Sequence, residues 1–341
     1  MKALENASLK GLNTFGVEAS AKLLLTIETE EDLLTLPAFD SRSDLVLGGG
    51  SNVLFATDIP GTAFLNRITG REIIEEHDDQ VLIEVGSGEV WHDLVLWSLS
   101  KGLSGLENLS LIPGLAGAAP IQNIGAYGVE LSSVLEGVTA WDWQKARWEV
   151  FSKDECRLAY RDSRFKSIEP GRYLITSVRL RLSRRFIPHL EYQGLGDDLL
   201  KMGIERPDPG QVSEAVMRIR KRKLPDPTRL ANAGGFFKNP IIAKDEALAL
   251  RQKFPGLPGW PSDSGLIKLS AGWMIEHCGL KGIRHGDAGV SERHSLVLVN
   301  YGSATGRQIA FLANSIRKTV FEEFGVQLDQ EPVLVDFQTN T

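Results

Sequence analysis

Hydrophobic residues follow two rhythms along this chain. In the first half, short β-branched and aliphatic runs alternate with turn formers and predict strands at residues 44–47, 62–65, 81–85, 134–143 and 173–182. Between them Val90, Trp91, Leu94, Val95 and Trp97 recur at helical spacing ahead of Gly102, which predicts a helix packed on that sheet. A second helix is expected over residues 211–223, with Val212, Ala215, Val216 and Ile219 on one face and Pro225 and Pro227 beyond its end. A domain boundary is expected there. The pattern then shortens to a glycine-rich turn at 231–240, a short helix at 246–254 and a strand at 296–299. Residues 306–324 set Ile309, Leu312, Ala313, Ile316, Val320 and Phe324 on one helical stripe that stops at Gly325, and residues 326–335 read as a return to a sheet. Strands with helices packed against them, and no internal repeat, make the fold class α+β.

Composition changes this picture little. A chain of 341 residues predicts two or three domains, and 42% hydrophobic with 24% charged residues is ordinary globular composition. The net charge of -6 argues against a general nucleic-acid binder, while leaving room for a local basic site. Cys156 and Cys278 stand in no paired spacing, as expected of reduced thiols in a cytoplasmic protein. The long uncharged stretch at 108–129 is interrupted by Pro113, Pro120 and four glycines, so it reads as a buried loop and not a membrane span. The N-terminal residues contain no apolar core of signal-peptide length, so export is not expected. No histidine forms HExxH or pairs with Cys or Asp at ligand spacing, and no metal site is expected.

Two glycine-rich segments carry candidate chemistry. Gly48, Gly49 and Gly50 follow the apolar DLVL and precede Ser51 and Asn52 in LGGGSNVLF; such a loop exposes backbone N–H groups and lets a phosphate approach closely. The same cluster also reads as a strained turn between strands. It is neither a Rossmann fingerprint nor a P-loop, because Val53 stands at the third glycine position and no Gly-Lys dipeptide occurs. The run LIPGLAGAAPIQNIGAYGVEL at 111–131 mixes apolar residues with Gly and Pro, as suits backbone lying against a flat, polar-edged ligand, or a buried crossover loop.

Taken in order, LNTFG, LGGGSNVLF, GLENLSLIPG, PIQNIGAYGVEL, YRDSRFK, KLPDP, NAGGFFKNP and LDQEP make the chain similar over almost its whole length to the UDP-N-acetylenolpyruvoylglucosamine reductase family, flavoproteins of bacterial peptidoglycan precursor synthesis. Tyr192 in HLEYQGL resembles the longer of the two family types, in which that tyrosine lies over the substrate. The resemblance implies a two-part FAD-binding domain of the PCMH and vanillyl-alcohol-oxidase-like type (residues 1–68 and 69–222), a smaller α/β substrate-binding domain (223–324) and a tail (325–341) returning to the active site. It implies FAD as bound cofactor, held by Gly48, Gly49, Gly50, Ser51 and Asn52 and by Pro113, Gly114, Gln122, Asn123, Gly125, Ala126 and Tyr127. NADPH would be the co-substrate and an enolpyruvyl UDP-sugar the substrate, with no nucleic-acid or membrane partner and a monomeric state.

The resemblance places Arg161 where a cation stabilises the enolate-like charge that follows hydride delivery, and Glu331 where an acid helps polarise the substrate carboxylate. Tyr192, Lys223, Asn239 and His294 match substrate-binding positions, although a glutamine or glutamate is more usual in the longer type at His294. Arg161 beside Asp162 also reads as an ordinary ion pair, Glu331 as an exposed carboxylate, and the basic run 218–223 as cations at a helix C-terminus. The main departure is Gly235, which occupies the family's proton-donating serine position; loss of such a donor costs on the order of 10²- to 10⁴-fold. Three readings follow: a working reductase with a relayed proton, a catalytically impaired form, natural or engineered, that keeps its ligands, and a flavin oxidase with another substrate.

Overall fold

A computed structural model of the chain describes residues 1–192, 194–262 and 265–337. They form two compact units: Met1–Ala7, Ala21–Gly50 and Ile59–Arg222 make the first, and Ser8–Ser20, Ser51–Asp58 and Lys223–Thr341 the second. No helix among the described residues is long and apolar enough to cross a membrane.

The first unit contains two large sheets and a two-stranded one, Gly125–Ala126 with Val129–Glu130. One runs Lys2–Ser8, Ser20–Ile27, Ile59–Asn66, Leu45–Leu47 in spatial order, the last three strands parallel. The other is antiparallel: Arg147–Ser152, Leu135–Asp142, Tyr173–Ser183, Gln80–Gly86, Arg71–His77. Its central strand is buried through its first half and alternates apolar residues with Arg179 and Arg181 in its second; Ile175, Val178, Leu180 and Leu182 join one core cluster and Leu174 another. Val178 pairs with Val85, Leu180 with Ile83 and Leu182 with Val81, which sets the register by stacking apolar side chains on one face. Helix α1 (Trp91–Ser100) buries Trp91, Leu94 and Val95 against that face, and the chain turns away through Gly102 at φ 70°. Helices α2 (Leu195–Lys201) and α3 (Pro209–Lys223) pack Leu195, Leu199, Val212, Ala215, Val216 and Ile219 around Tyr127.

In the second unit helices α4 (Lys244–Lys253), α5 (Ala271–His277) and α6 (Gly306–Phe324) accompany a four-stranded antiparallel sheet and a three-stranded one. The predicted strand at 296–299 is observed as Leu298–Asn300. The predicted turn at 231–240 contains a two-residue strand, Ala231–Asn232, and a bridge from Phe237 to Gln330. Helix α6 begins with a Thr305–Gln308 capping box and ends on Gly325 at φ 70°, in agreement with the sequence periodicity. A Cβ on Gly306 would collide with the Phe55 carbonyl, so the start of α6 lies directly on the strand Val53–Phe55, which pairs in parallel with Val333–Val335.

Candidate functional site

In the first unit the glycine loop and the 111–131 run face each other with little but backbone between them. An ideal Cβ on Gly49 would lie 3.1 Å from the Cα of Gly114, and one on Gly48 would touch Leu115 and Ala118 at 3.8 Å. Gly50 adopts φ 62° and Gly114 φ 116°, conformations that favour glycine. Arg67, absent from the sequence reading, donates from Nη1 to the Gly48 carbonyl at 3.1 Å and to that of Asn66 at 2.7 Å, placing a half-buried cation behind the loop. Bare backbone with a cation behind it fits a diphosphate.

The second feature is a concentration of backbone strain. Leu111, Asn123, Tyr127 and Arg161 all have positive φ, and they are four of the eight such non-glycine residues among those described. Conformations of this kind persist only where neighbours over-determine them. Asn123 follows the short helix Pro120–Gln122; its amide donates to Glu130 Oε2 at 2.8 Å and to the Ala159 carbonyl at 3.1 Å, while its oxygen accepts from Ser132 N–H. Tyr127 is held by Asn108, whose amide donates to the Tyr127 carbonyl at 2.8 Å. Pro113 and Gln122 belong to the same connected run.

Arg161 lies in a turn closed by paired hydrogen bonds between Ala159 and Asp162. Its Nη2 donates to the Gly125 carbonyl at 2.7 Å, and the guanidinium lies over the Tyr160 ring. A Cβ on Gly125 would come within 3.1 Å of Arg161 Nη1 and 2.9 Å of Glu130, so glycine there is what lets the guanidinium rest on the strand Gly125–Ala126. Tyr192 packs its ring against Tyr127, centroids 4.9 Å apart; burial pushes the Tyr127 hydroxyl up to about 12. A second arginine, Arg220 of α3, faces Tyr127, Arg161 and Tyr192; burial lowers its pKa, and its Nε has no hydrogen-bond partner among the described residues. The basic run 218–223 is therefore not wholly a solvated helix end.

The second unit gathers another group. Asn52 donates to the Glu331 carbonyl at 3.3 Å and accepts from Val333 N–H at 3.0 Å, while Glu331 N–H donates to the carbonyl of Phe236, next to Gly235. Asn52, Gly235 and Glu331 thus share one backbone assembly, with Ser51 beside Asn52 in the chain. An ideal Cβ on Gly235 meets nothing within 4 Å. His294 is partly buried, with its Nδ1 accepting from Leu296 N–H at 3.2 Å; burial, then Lys223 and Lys281, lower its pKa. Lys223 is exposed at the end of α3, and Lys281, missed in the sequence, also lies near His294 while paired with Glu276 at 3.0 Å, which acts on the imidazole in the opposite direction. Asn239 accepts from Ala271 N–H at 3.0 Å and so helps cap α5. Among the described residues no group of three His, Cys, Asp or Glu side chains could hold a metal.

A backbone cradle suited to a diphosphate, a strained loop beside two arginines and, in the second unit, two lysines near His294 are features of a nucleotide-binding protein. Residues 21–148 match the family described as "FAD binding domain". Residues 226–335 match "UDP-N-acetylenolpyruvoylglucosamine reductase, C-terminal domain". The UDP-N-acetylenolpyruvoylglucosamine reductase of Xylella fastidiosa is 50% identical over 98% of this chain and 96% of its own length. That of Pseudomonas aeruginosa is 48% identical over 97% and 98%. The crystal structure of the Thermus caldophilus reductase superimposes with a TM-score of 0.68 at 28% identity, covering 98% of both chains. The chain belongs to the UDP-N-acetylenolpyruvoylglucosamine reductase family, FAD-dependent oxidoreductases of α+β fold.

Proposed function

We propose that the protein catalyses the NADPH-dependent, FAD-mediated reduction of UDP-N-acetyl-3-O-(1-carboxyvinyl)glucosamine to UDP-N-acetylmuramate, a step of peptidoglycan synthesis. The whole-length identity to reductases named for this substrate carries the reading. Bound FAD would supply the hydride, taken from NADPH and delivered to the terminal vinyl carbon. The FAD domain is assigned residues 1–68 and 69–222, the substrate domain 223–324 and the tail 325–341.

Hydride arrival drives charge into the substrate carboxylate, and Arg161 is assigned to stabilise it. Its guanidinium is already fixed by the Gly125 carbonyl and the Tyr160 ring, so little reorganisation is needed as the charge develops. Glu331 is assigned to the same carboxylate as a protonated or hydrogen-bonded acid, on a segment anchored by Asn52 and Phe236. Lys223 is assigned to the substrate diphosphate, His294 and Asn239 to the nucleotide and Tyr192 to a position over the substrate. The intermediate still requires a proton at the neighbouring carbon. Gly235 has none to give, but the open space at its Cα leaves room for a water to relay one.

That same glycine favours one second reading, a form that binds FAD and the UDP-sugar with little turnover. NADPH consumption by the purified protein with the enolpyruvyl sugar separates the two. Steady turnover supports the reductase. Rapid flavin bleaching by NADPH without substrate-dependent return of the yellow colour supports the impaired form, because the first half-reaction needs no proton donor at Gly235.

A further inference from the structure

The N-terminus of α1 grips the 109–114 segment through consecutive residues. The indole N–H of Trp91 donates to the Leu109 carbonyl at 3.0 Å, and the Trp91 backbone N–H donates to the Gly114 carbonyl at 3.0 Å. Between these two bonds, the N–H of Leu111 donates to Nδ1 of His92 at 3.0 Å. Leu111 has φ 59°, a left-handed conformation that a bulky apolar residue adopts only when something holds it. The hydrogen bond to His92 is that hold, and it sits two residues before Pro113 and three before the Gly114 that approaches Gly49.

We propose that His92 is a positioning residue for FAD, its unprotonated Nδ1 fixing Leu111 in the left-handed conformation that sets the Pro113–Gly114 backbone against Gly49. The proposal rests on the assignment of that backbone to the cofactor. Of the three bonds in the grip, only this one depends on a titratable acceptor. A proton on Nδ1 would turn the acceptor into a donor facing another donor, and the clamp would open. His92 is partly buried, and its charged neighbours are Asp93 on α1 and Arg220 and Lys221 on α3. Burial lowers its pKa, Asp93 works in the opposite direction, and the two cations reinforce the lowering, all consistent with an imidazole kept neutral. Because the clamped state requires the neutral form, FAD affinity is full above the ordinary imidazole value of 6.5 and declines as pH falls below it through the lowered value.

The test uses the full chain as apoprotein and holoprotein. Backbone amide exchange over residues 109–116 is measured without FAD, and the FAD dissociation constant is measured by flavin fluorescence quenching at several pH values from about 5 to 8. In H92F we expect faster exchange at Leu111 and FAD affinity weakened roughly tenfold at the alkaline end, where one acceptor is lost. H92N, whose amide oxygen lies where Nδ1 does and accepts without titrating, should restore affinity and flatten its pH dependence. Adding Leu111→Gly to H92F should recover much of the affinity, since glycine reaches positive φ without a clamp. Unchanged Leu111 exchange in H92F, or an H92N pH profile identical to that of the parent, would overturn the clamp. Faster exchange with unchanged FAD affinity would overturn the loop's flavin role, while leaving reductase turnover to be judged by its own assay.

Discussion

The glycines of the first unit's candidate site and Gly235 of the second unit stand in opposite surroundings. In the first, glycine is demanded by the surroundings: a Cβ on Gly49 would crowd Gly114, one on Gly125 would crowd Arg161 and Glu130, and one on Gly117 would collide with Ser87. In the second, Gly235 has no such requirement; its φ lies outside the left-handed region and an added Cβ meets nothing within 4 Å. The difference separates glycines that shape a site from one that merely lacks a side chain. Backbone geometry explains why Gly49, Gly117 and Gly125 are glycine. It gives no account of Gly235.

On the proposed function, the largest expected effect comes from placing a hydroxyl at position 235 of the second unit. Gly235→Ser should raise turnover of the enolpyruvyl sugar by on the order of 10²- to 10⁴-fold with little change in thermal stability. A variant no faster than the parent would show that the proton comes from elsewhere. In the first unit the same kind of change should be harmful: Gly117→Ala should cost about 1–3 kcal/mol in denaturant unfolding, because the new methyl has no space beside Ser87.

Two smaller changes sharpen the contrast inside a single segment. Gly234, adjacent to Gly235, has φ 74° and also meets nothing within 4 Å, so only its backbone conformation opposes a side chain. Gly234→Ala should cost about 1–2 kcal/mol for forcing an L-residue into that region. Gly235→Ala should be neutral or stabilise by up to about 1 kcal/mol, through reduced freedom of the unfolded chain. Equal losses for both alanine variants in thermal unfolding would mean that Gly235 is held by something other than sterics and dihedral preference.

Legibility in the sequence followed the source of each signal. Helix α6 could be read to its last residue, because its stripe has a 3.6-residue period and both caps are local. The central strands at 81–85, 134–143 and 173–182 were legible because they are buried. Arg71–His77, Arg147–Ser152 and Lys2–Ser8 were not legible; each lies at a sheet edge, mostly exposed, and carries charged residues in place of an apolar rhythm. Helices α2 and α5, at seven residues each, are too short to show a period. Among candidate site residues, the glycine loops and Arg161 stood in recognisable motifs. Arg67, His92, Arg220 and Lys281 did not, since each matters only for what folding places beside it.

By itself the sequence determined the family, the α+β class, the limits of α6 and the glycines that the backbone needs, because these follow from local pattern and from motifs contiguous in the chain. The tertiary structure decided which distant groups meet. Asn52 reaches Glu331, 279 positions away; Arg161 rests on Gly125, 36 positions away; His92 accepts from Leu111, 19 positions away. Such bonds need the register and topology of whole sheets, which no local period specifies, and they turn strained loops into fixed geometry.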